Sequence, residues 1–262
     1  MYYGLLSLAA KVPASGYDAD AQAFFTAAGI TDTTQKSAVN QLVLDLKSYS
    51  IWTKMKALYP MVGGTSTTHS YNLKDTAQYQ LTFNGGWTHS STGALPNGTN
   101  AYANTGFNIS TQLTSTSGNI GFYSRTDNTG NTVDFGASIS GNKVYLVPDY
   151  NGSTGYASYA SEFGYSKATT TGLYSLGRLS TQDSNVKIIR NGSTTLYDAN
   201  PSAMSLPNGN MYFGARNDDG TAAFFSSRQI ALGYMSDGLT NTEIANFYTA
   251  VQAFQTTLSR NV

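Results

Sequence analysis

Apolar positions change their period twice along this chain. Over residues 17–62 they recur every three to four positions. Asp18 or Asp20 can cap a short helix through Ala21, Ala23, Phe24 and Ala27, and Gly29 supplies a left-handed stop. Asp32 stands three residues before Gln35, a capping-box-like opening for a second helix whose stripe is Val39, Leu42, Val43 and Leu46. The register slips at Tyr49-Ser50. Ile51, Met55 and Leu58 then form a new stripe ending at Pro60, which predicts a further short helix instead of one long one.

From Gly63 onward, turn signals every eight to twelve residues separate short runs rich in Tyr, Phe, Val and Ile, the pattern of an antiparallel sandwich or barrel. Strands are expected at 79–84, 101–108, 119–125, 131–138, 143–148, 172–179, 185–190, 194–198, 210–215 and 222–234. The clearest pair is the hairpin about Asn191-Gly192, where both residues accept the positive φ of a type I′ turn. Arg216-Asn217-Asp218-Asp219-Gly220 reads as a second, longer loop. Residues 151–161 are rich in Gly and Ser, although Tyr150, Tyr156 and Tyr159 give that stretch material to pack. The helical period returns at the end. Thr240 and Glu243 form a capping box, followed by Ile244, Phe247, Tyr248, Val251, Phe254 and Leu258 along one face, which predicts a helix over 240–258 docked on the rest of the molecule.

Composition narrows the function. The 262 residues carry 15 basic and 15 acidic side chains and no cysteine, which excludes thiol chemistry and a disulfide scaffold. With only 11% charged residues, the chain lacks the basic surface that displaces counterions from nucleic acid. No run of eighteen apolar residues exists, so no membrane-spanning helix is expected. Tyr2 to Ala10 is apolar but is preceded by no Lys or Arg, so 1–16 reads as a retained arm, packed on its own domain or docked on a partner.

Candidate chemistry is sparse. Glycan cleavage needs two carboxyl groups flanking the scissile bond. The only glutamates are Glu162 and Glu243, the latter already accounted for as a helix cap, while Asp127, Asp134, Asp149, Asp183 and Asp198 fall singly at strand ends and turns. His69 and His89 lack a nucleophile elbow, and no phosphate-binding glycine loop occurs. The chain therefore reads as non-enzymatic, with no catalytic residue, no metal centre and no required cofactor. Hard oxygen donors at Asn217, Asp218, Asp219 and Asp127 are weak calcium candidates, against the alternative of ordinary Asx turns. The crowd of tyrosines near 145–165 suggests a platform for sugar rings, with Tyr150, Tyr156 and Tyr159 as glycan-binding candidates, although half-buried strands are also aromatic-rich.

Three stretches resemble the closing part of a laminin-G-like, concanavalin A-like jelly roll: the hairpin from Lys187 to Tyr197, the strand from Met211 to Ala215, and Gln229 to Tyr234 followed by Leu239-Thr240-Asn241-Thr242-Glu243-Ile244. Trp52 to Pro60, Asn72 to Asp75, Gly85 to Ser90, Ala94 to Tyr102 and the Asn246 to Leu258 segment resemble a group of bacteriophage structural proteins carrying that domain. The resemblance implies a mainly β protein: an antiparallel two-sheet jelly-roll sandwich over 64–262, a helical segment at 17–63 and an apolar anchoring arm at 1–16. It implies a virion component of the capsid-decorating or head-fibre type, or a tail adhesin. Other virion proteins would be held through the N-terminal part, in a trimer, with host surface glycan as a further ligand. Leu5, Leu6, Leu8, Trp52 and Tyr59 are the candidate anchoring contacts.

Overall fold

The computed structural model describes residues 16–167, 169–180, 183–200 and 205–262. Two helices come first, α1 (Ala19–Ala28) and α2 (Thr33–Ser48), followed by a 3₁₀ turn at Trp52–Lys54 and strand β1 (Met55–Tyr59). After the short α3 (Ser66–Ser70) come β2 (Thr82–Asn84), β3 (Trp87–Ser90), β4 (Gly93–Pro96) and β5 (Tyr102–Asn108), then α4 (Ile109–Gln112) and β6 (Gly118–Ser124). The middle of the chain gives β7 (Phe135–Ile139), β8 (Asn142–Val147), β9 (Thr154–Tyr159), β10 (Glu162–Ser166) and β11 (Gly172–Ser180). The last third gives β12 (Asp183–Arg190), β13 (Thr194–Ala199), β14 (Asn210–Phe213), β15 (Arg216–Asp218), β16 (Thr221–Ala223), β17 (Ile230–Ser236) and α5 (Asn241–Thr257).

The strands form two sheets. The first runs β13-β12-β11-β6-β17-β4-β3, with β1 added along β17; the second runs β10-β9-β8-β7-β14-β5-β2, with β15 attached to β7 and β16 to β15. Among the described residues all pairings are antiparallel except β15 on β7, which is parallel. Between the sheets lies a core that includes Phe107, Phe122, Phe135, Leu146, Tyr174, Ile188 and Phe213, the rings of Phe135 and Phe213 stacked 3.9 Å apart. This is the expected two-sheet sandwich.

A second core lies on the outer face of the first sheet. Tyr123, Leu173, Ile189, Leu232 and Tyr234 point away from the sandwich and meet α1, α2 and α5. Helix α5 starts at its expected capping box, Thr240 with Glu243. It buries Ile244, Phe247, Val251 and Phe254, the ring of Phe247 4.5 Å from that of Tyr234. At about 1.5–3 kcal/mol for each large apolar side chain removed from water, this contact fixes the helix to the sheet. Asp18 and Asp32 cap α1 and α2 as the sequence indicates, and Gly29 ends α1 at φ 67°.

The helix expected over 51–59 is instead the 3₁₀ turn and β1, so part of the 17–63 segment belongs to the sandwich. Ser50, at φ 60°, turns the chain out of α2, and β1 then pairs with β17, Leu58 opposite Tyr234. Met55 and Leu58 face the helices, while Ala57 and Tyr59 face the inter-sheet core. The expected strand over 222–234 is two, β16 and β17, and β3, β4, β9, β10 and β15 arise where no strand was expected, β15 within the segment read as the 216–220 loop. The hairpin at Asn191-Gly192 forms with both residues at positive φ, but Arg190 pairs with Thr194, so Ser193 joins the loop and the type I′ two-residue form is not kept.

Two anchoring candidates need correction. Tyr59 is fully buried and donates its hydroxyl hydrogen to the carbonyl of Tyr79 at 2.6 Å. Trp52 is buried in the helical core, its ring 4.7 Å from the ammonium of Lys74. Both are consumed by the chain's own packing and present no surface to a partner. Leu5, Leu6 and Leu8 lie outside the described residues.

Candidate functional site

Among the described residues, α1, α2 and α5 cover the first sheet and leave the outer face of the second open along β8. Along β8 the side chains alternate. Val144 and Leu146 enter the core, while Tyr145 and Val147 form an outer cluster with Val133 and Tyr156. Opposite Tyr145 on β7 stands Gly136, where a Cβ would lie 2.4 Å from that of Tyr145, so glycine is what lets the tyrosine settle against the sheet.

Above this floor is an open cavity of about 240 Å³ lined by Asn131, Tyr150, Tyr156, Glu162, Arg216 and Phe224 besides the floor residues. Tyr150 is 41% exposed and Phe224 39%, while Tyr145 is only 5% exposed. The rings of Tyr150 and Tyr156 meet edge to face at 5.0 Å. Glu162 accepts a hydrogen bond from the hydroxyl of Tyr145 at 2.5 Å and pairs with Lys143 at 2.9 Å, both through Oε2. The hydrogen bond from Tyr145 and that from Lys143 hold the Glu162 carboxyl below its ordinary range, so it is ionised at neutral pH. Burial, with the adjacent carboxylate, pushes the Tyr145 hydroxyl up and keeps it protonated as the donor.

The Arg216 guanidinium lies 4.3 Å from the centre of the Phe224 ring and 5.7 Å from that of Tyr145, and its Nη2 pairs with Asp218 at 2.9 Å. Nε of Arg216 is buried with no partner among the described residues. Phe224 itself has φ 57°, a conformation costly for a bulky side chain, held by the hydrogen bond its carbonyl accepts from the amide of Val133 at 2.8 Å.

The loops that carry the rim converge on one cation. Arg228 is fully buried. Its Nη1 donates to Asp134 at 2.7 Å and Thr132 at 3.1 Å, and its Nη2 donates to the carbonyls of Asn128 at 2.8 Å and Asp149 at 3.3 Å. Ser226 donates to the other oxygen of Asp134 at 2.5 Å. Asn131, Tyr150 and Phe224 thus sit on three segments tied to one buried ion pair.

Of the glycan candidates, Tyr150 and Tyr156 meet at this cavity and Tyr159 does not. Tyr159 points to the opposite side of β9, is fully buried, and donates to the carbonyl of Thr114 at 3.0 Å. The calcium candidates do not assemble either. Asn217 donates to the carbonyl of Asn210 and accepts from the amide of Gly220, Asp218 pairs with Arg216, Asp219 accepts from the amide of Ser140, and Asp127 accepts from Thr170. These oxygens are engaged in a turn, an ion pair and ties between loops, and the described residues hold no group of three or more His, Cys, Asp or Glu fit for a metal ion. Glu162, on β10, was weighed only as a catalytic carboxylate, and Phe224 escaped the sequence reading because it follows β16, which joins this sheet only through β15 and its pairing with β7. The alternation of Lys143, Tyr145 and Val147 on β8 was the available signal.

No family model matches this sequence, and no curated protein does. Among solved structures, the chain resembles domain 4 of AbnA, a GH43 extracellular arabinanase from Geobacillus stearothermophilus, in complex with arabinotriose. That likeness has a TM-score of 0.50 and 16% identity, over 74% of this chain and 98% of that domain. It also matches the Ruminococcus gnavus IT-sialidase CBM40 at TM-score 0.38 and 15% identity, over 54% of this chain and 91% of that one. The NanB sialidase from Streptococcus pneumoniae matches at TM-score 0.42 and 14% identity, over 63% of this chain but only 27% of the sialidase. The likeness to the arabinanase domain is one of fold, and the fold is the β-sandwich already described.

Proposed function

We propose that this sandwich is a carbohydrate-binding domain that holds glycan without cutting it. The observation that carries the reading is the open outer face of the second sheet, where Tyr150, Tyr156 and Phe224 surround the charged pairs of Glu162 with Lys143 and Arg216 with Asp218. Flat rings offer stacking surface to the CH faces of a sugar, and the ionic groups offer hydrogen-bond partners to its hydroxyls. The arabinotriose-bound arabinanase domain of the same fold supports the reading. Binding without cleavage is supported by the cavity wall, where Glu162 is the one carboxylate among the lining residues and cleavage calls for two. A glycan array with the intact chain tests it. Binding that falls at least about tenfold in Tyr150→Ala and Tyr156→Ala is expected, since such rings anchor interfaces. Silence across host polysaccharides would overturn it.

The proposal sets the domain on a bacteriophage particle, as a capsid-decorating or head-fibre protein, trimeric and attached through its N-terminal part. The resemblance of Trp52 to Pro60, Gly85 to Ser90 and Ala94 to Tyr102 to phage structural proteins supports this. Antibody against the chain is expected to label purified particles. Particles free of the chain would remove the virion role and leave the glycan reading standing.

A further inference from the structure

Glu162 stands between two cavities. The first is the aromatic one described above. The second, of about 160 Å³, is lined by Gly141, Lys143, Ser158, Ala160 and Ser161, again with Glu162. Lys143, Tyr145 and Val147 are successive outward positions of β8, so the two cavities follow one strand, separated by the ion pair of Glu162 with Lys143. At about 3.3 Å per residue, the stretch from Lys143 to Val147 alone is roughly 13 Å long, more than one sugar ring covers.

The charge along this groove is balanced. Lys143 is matched by Glu162, and Arg216 by Asp218. An anionic ligand would find both cations engaged and the ionised Glu162 at its centre. A hydroxyl finds a suitable partner: Oε2 of Glu162 is occupied by Tyr145 and Lys143, whereas Oε1 accepts from none of the described residues. A carboxylate pinned at one oxygen and free at the other is an oriented acceptor for ligand O–H groups.

We infer, building on the glycan reading, that the ligand is a neutral oligosaccharide of two or more units that crosses Glu162 and fills both cavities. Tyr150, Tyr156 and Phe224 hold one end, and Glu162 accepts hydroxyl hydrogens at the crossing point and excludes acidic sugars.

Calorimetric titration of the intact chain tests this with neutral arabino-, xylo- and malto-oligosaccharides of one to five units, beside oligogalacturonides and sialyllactose. Affinity is expected to rise at least about tenfold from one unit to the longer oligomers, the increment of a single good hydrogen-bonded contact to a charged group. Ser161→Trp, which fills the second cavity, should collapse that length dependence. Glu162→Gln should weaken neutral oligomers about tenfold and raise the acidic ones, because the neutral amide keeps the shape and loses the charge. Length-independent binding would overturn the two-cavity assignment, and so would length dependence that survives Ser161→Trp. Acidic ligands bound more tightly than neutral ones by the unmodified chain would overturn the neutral assignment while the glycan reading stood. No binding by any sugar would overturn both.

Discussion

Nη1 of Arg228 lies 2.7 Å from Oδ2 of Asp134, and neither side chain has any exposure to solvent. Removing one partner of such a pair leaves an uncompensated charge in the interior. Arg228→Met and Asp134→Asn are each expected to cost about 3–5 kcal/mol in urea unfolding. Because Arg228 also holds the carbonyls of Asn128 and Asp149, hydrogen exchange in Arg228→Met should rise first in the loops carrying Asn131 and Tyr150, before the sandwich strands open.

Arg260 is fully buried and faces carbonyls where a carboxylate is usual. Its guanidinium donates to Pro60 at 2.6 Å, Met61 at 2.8 Å, Ala231 at 2.9 Å and the side chain of Gln255 at 2.5 Å, joining the end of β1 to β17 and α5. Arg260→Ala strands these acceptors and is expected to cost at least about 3 kcal/mol in thermal or urea unfolding. Arg260→Lys should fail to restore it, since an ammonium cannot span the planar fork.

His69 and His89 approach through their Nδ1 atoms at 2.9 Å, so one donates and the other accepts. His69 is 1% exposed, and burial, then His89, then the nearby Arg260, lower its pKa to about 3. Burial also lowers that of His89. The unfolded chain therefore binds these protons first. Stability is full above about pH 6.5 and is lost as pH falls toward 3, by up to about 1.4 kcal/mol for each tenfold rise in proton concentration from His69 alone. Urea midpoints measured between pH 7 and about 5.5, above the carboxylate range, should fall in the parent and fall less steeply in His69→Gln, where only His89 remains.

Phe224 holds φ 57° while 39% exposed, a conformation that packing alone does not repay. Phe224→Gly relieves the strain but loses the ring over Arg216. Folding stability is expected to stay within about 1 kcal/mol of the parent. Glycan affinity, read by calorimetry, should drop at least about tenfold, since exposed aromatic anchors carry binding.

The capped helices and the alternating sandwich strands were legible because each is fixed by local chemistry: Asp32 and Thr240 at their helix starts, Asn191-Gly192 at its turn. Residues 55–59 were not. Met55 and Leu58 fit a helical stripe, yet Ala57 and Tyr59 face one side and Leu58 the other, with a bulge between Met55 and Ala57, and the choice fell to pairing with β17, which no local pattern encodes. The candidate site divides the same way. Tyr150 and Tyr156 stood out as a cluster in sequence, whereas Arg216 and Phe224 come from far along the chain and reach the same face only through the parallel pairing of β15 with β7. Tyr159 was misplaced because a side-by-side count of tyrosines ignores the two-residue period that sends it inward.

The helical layer clads one sheet and leaves its counterpart bare, which gives the molecule a back and a front. Anything resting on α1, α2 or α5 stands behind both sheets, roughly 10 Å of packed layer for each step, and has no line of contact with the groove along β8. The helical face and the proposed glycan groove are thereby separated by the thickness of the protein, and either surface can change without disturbing the other.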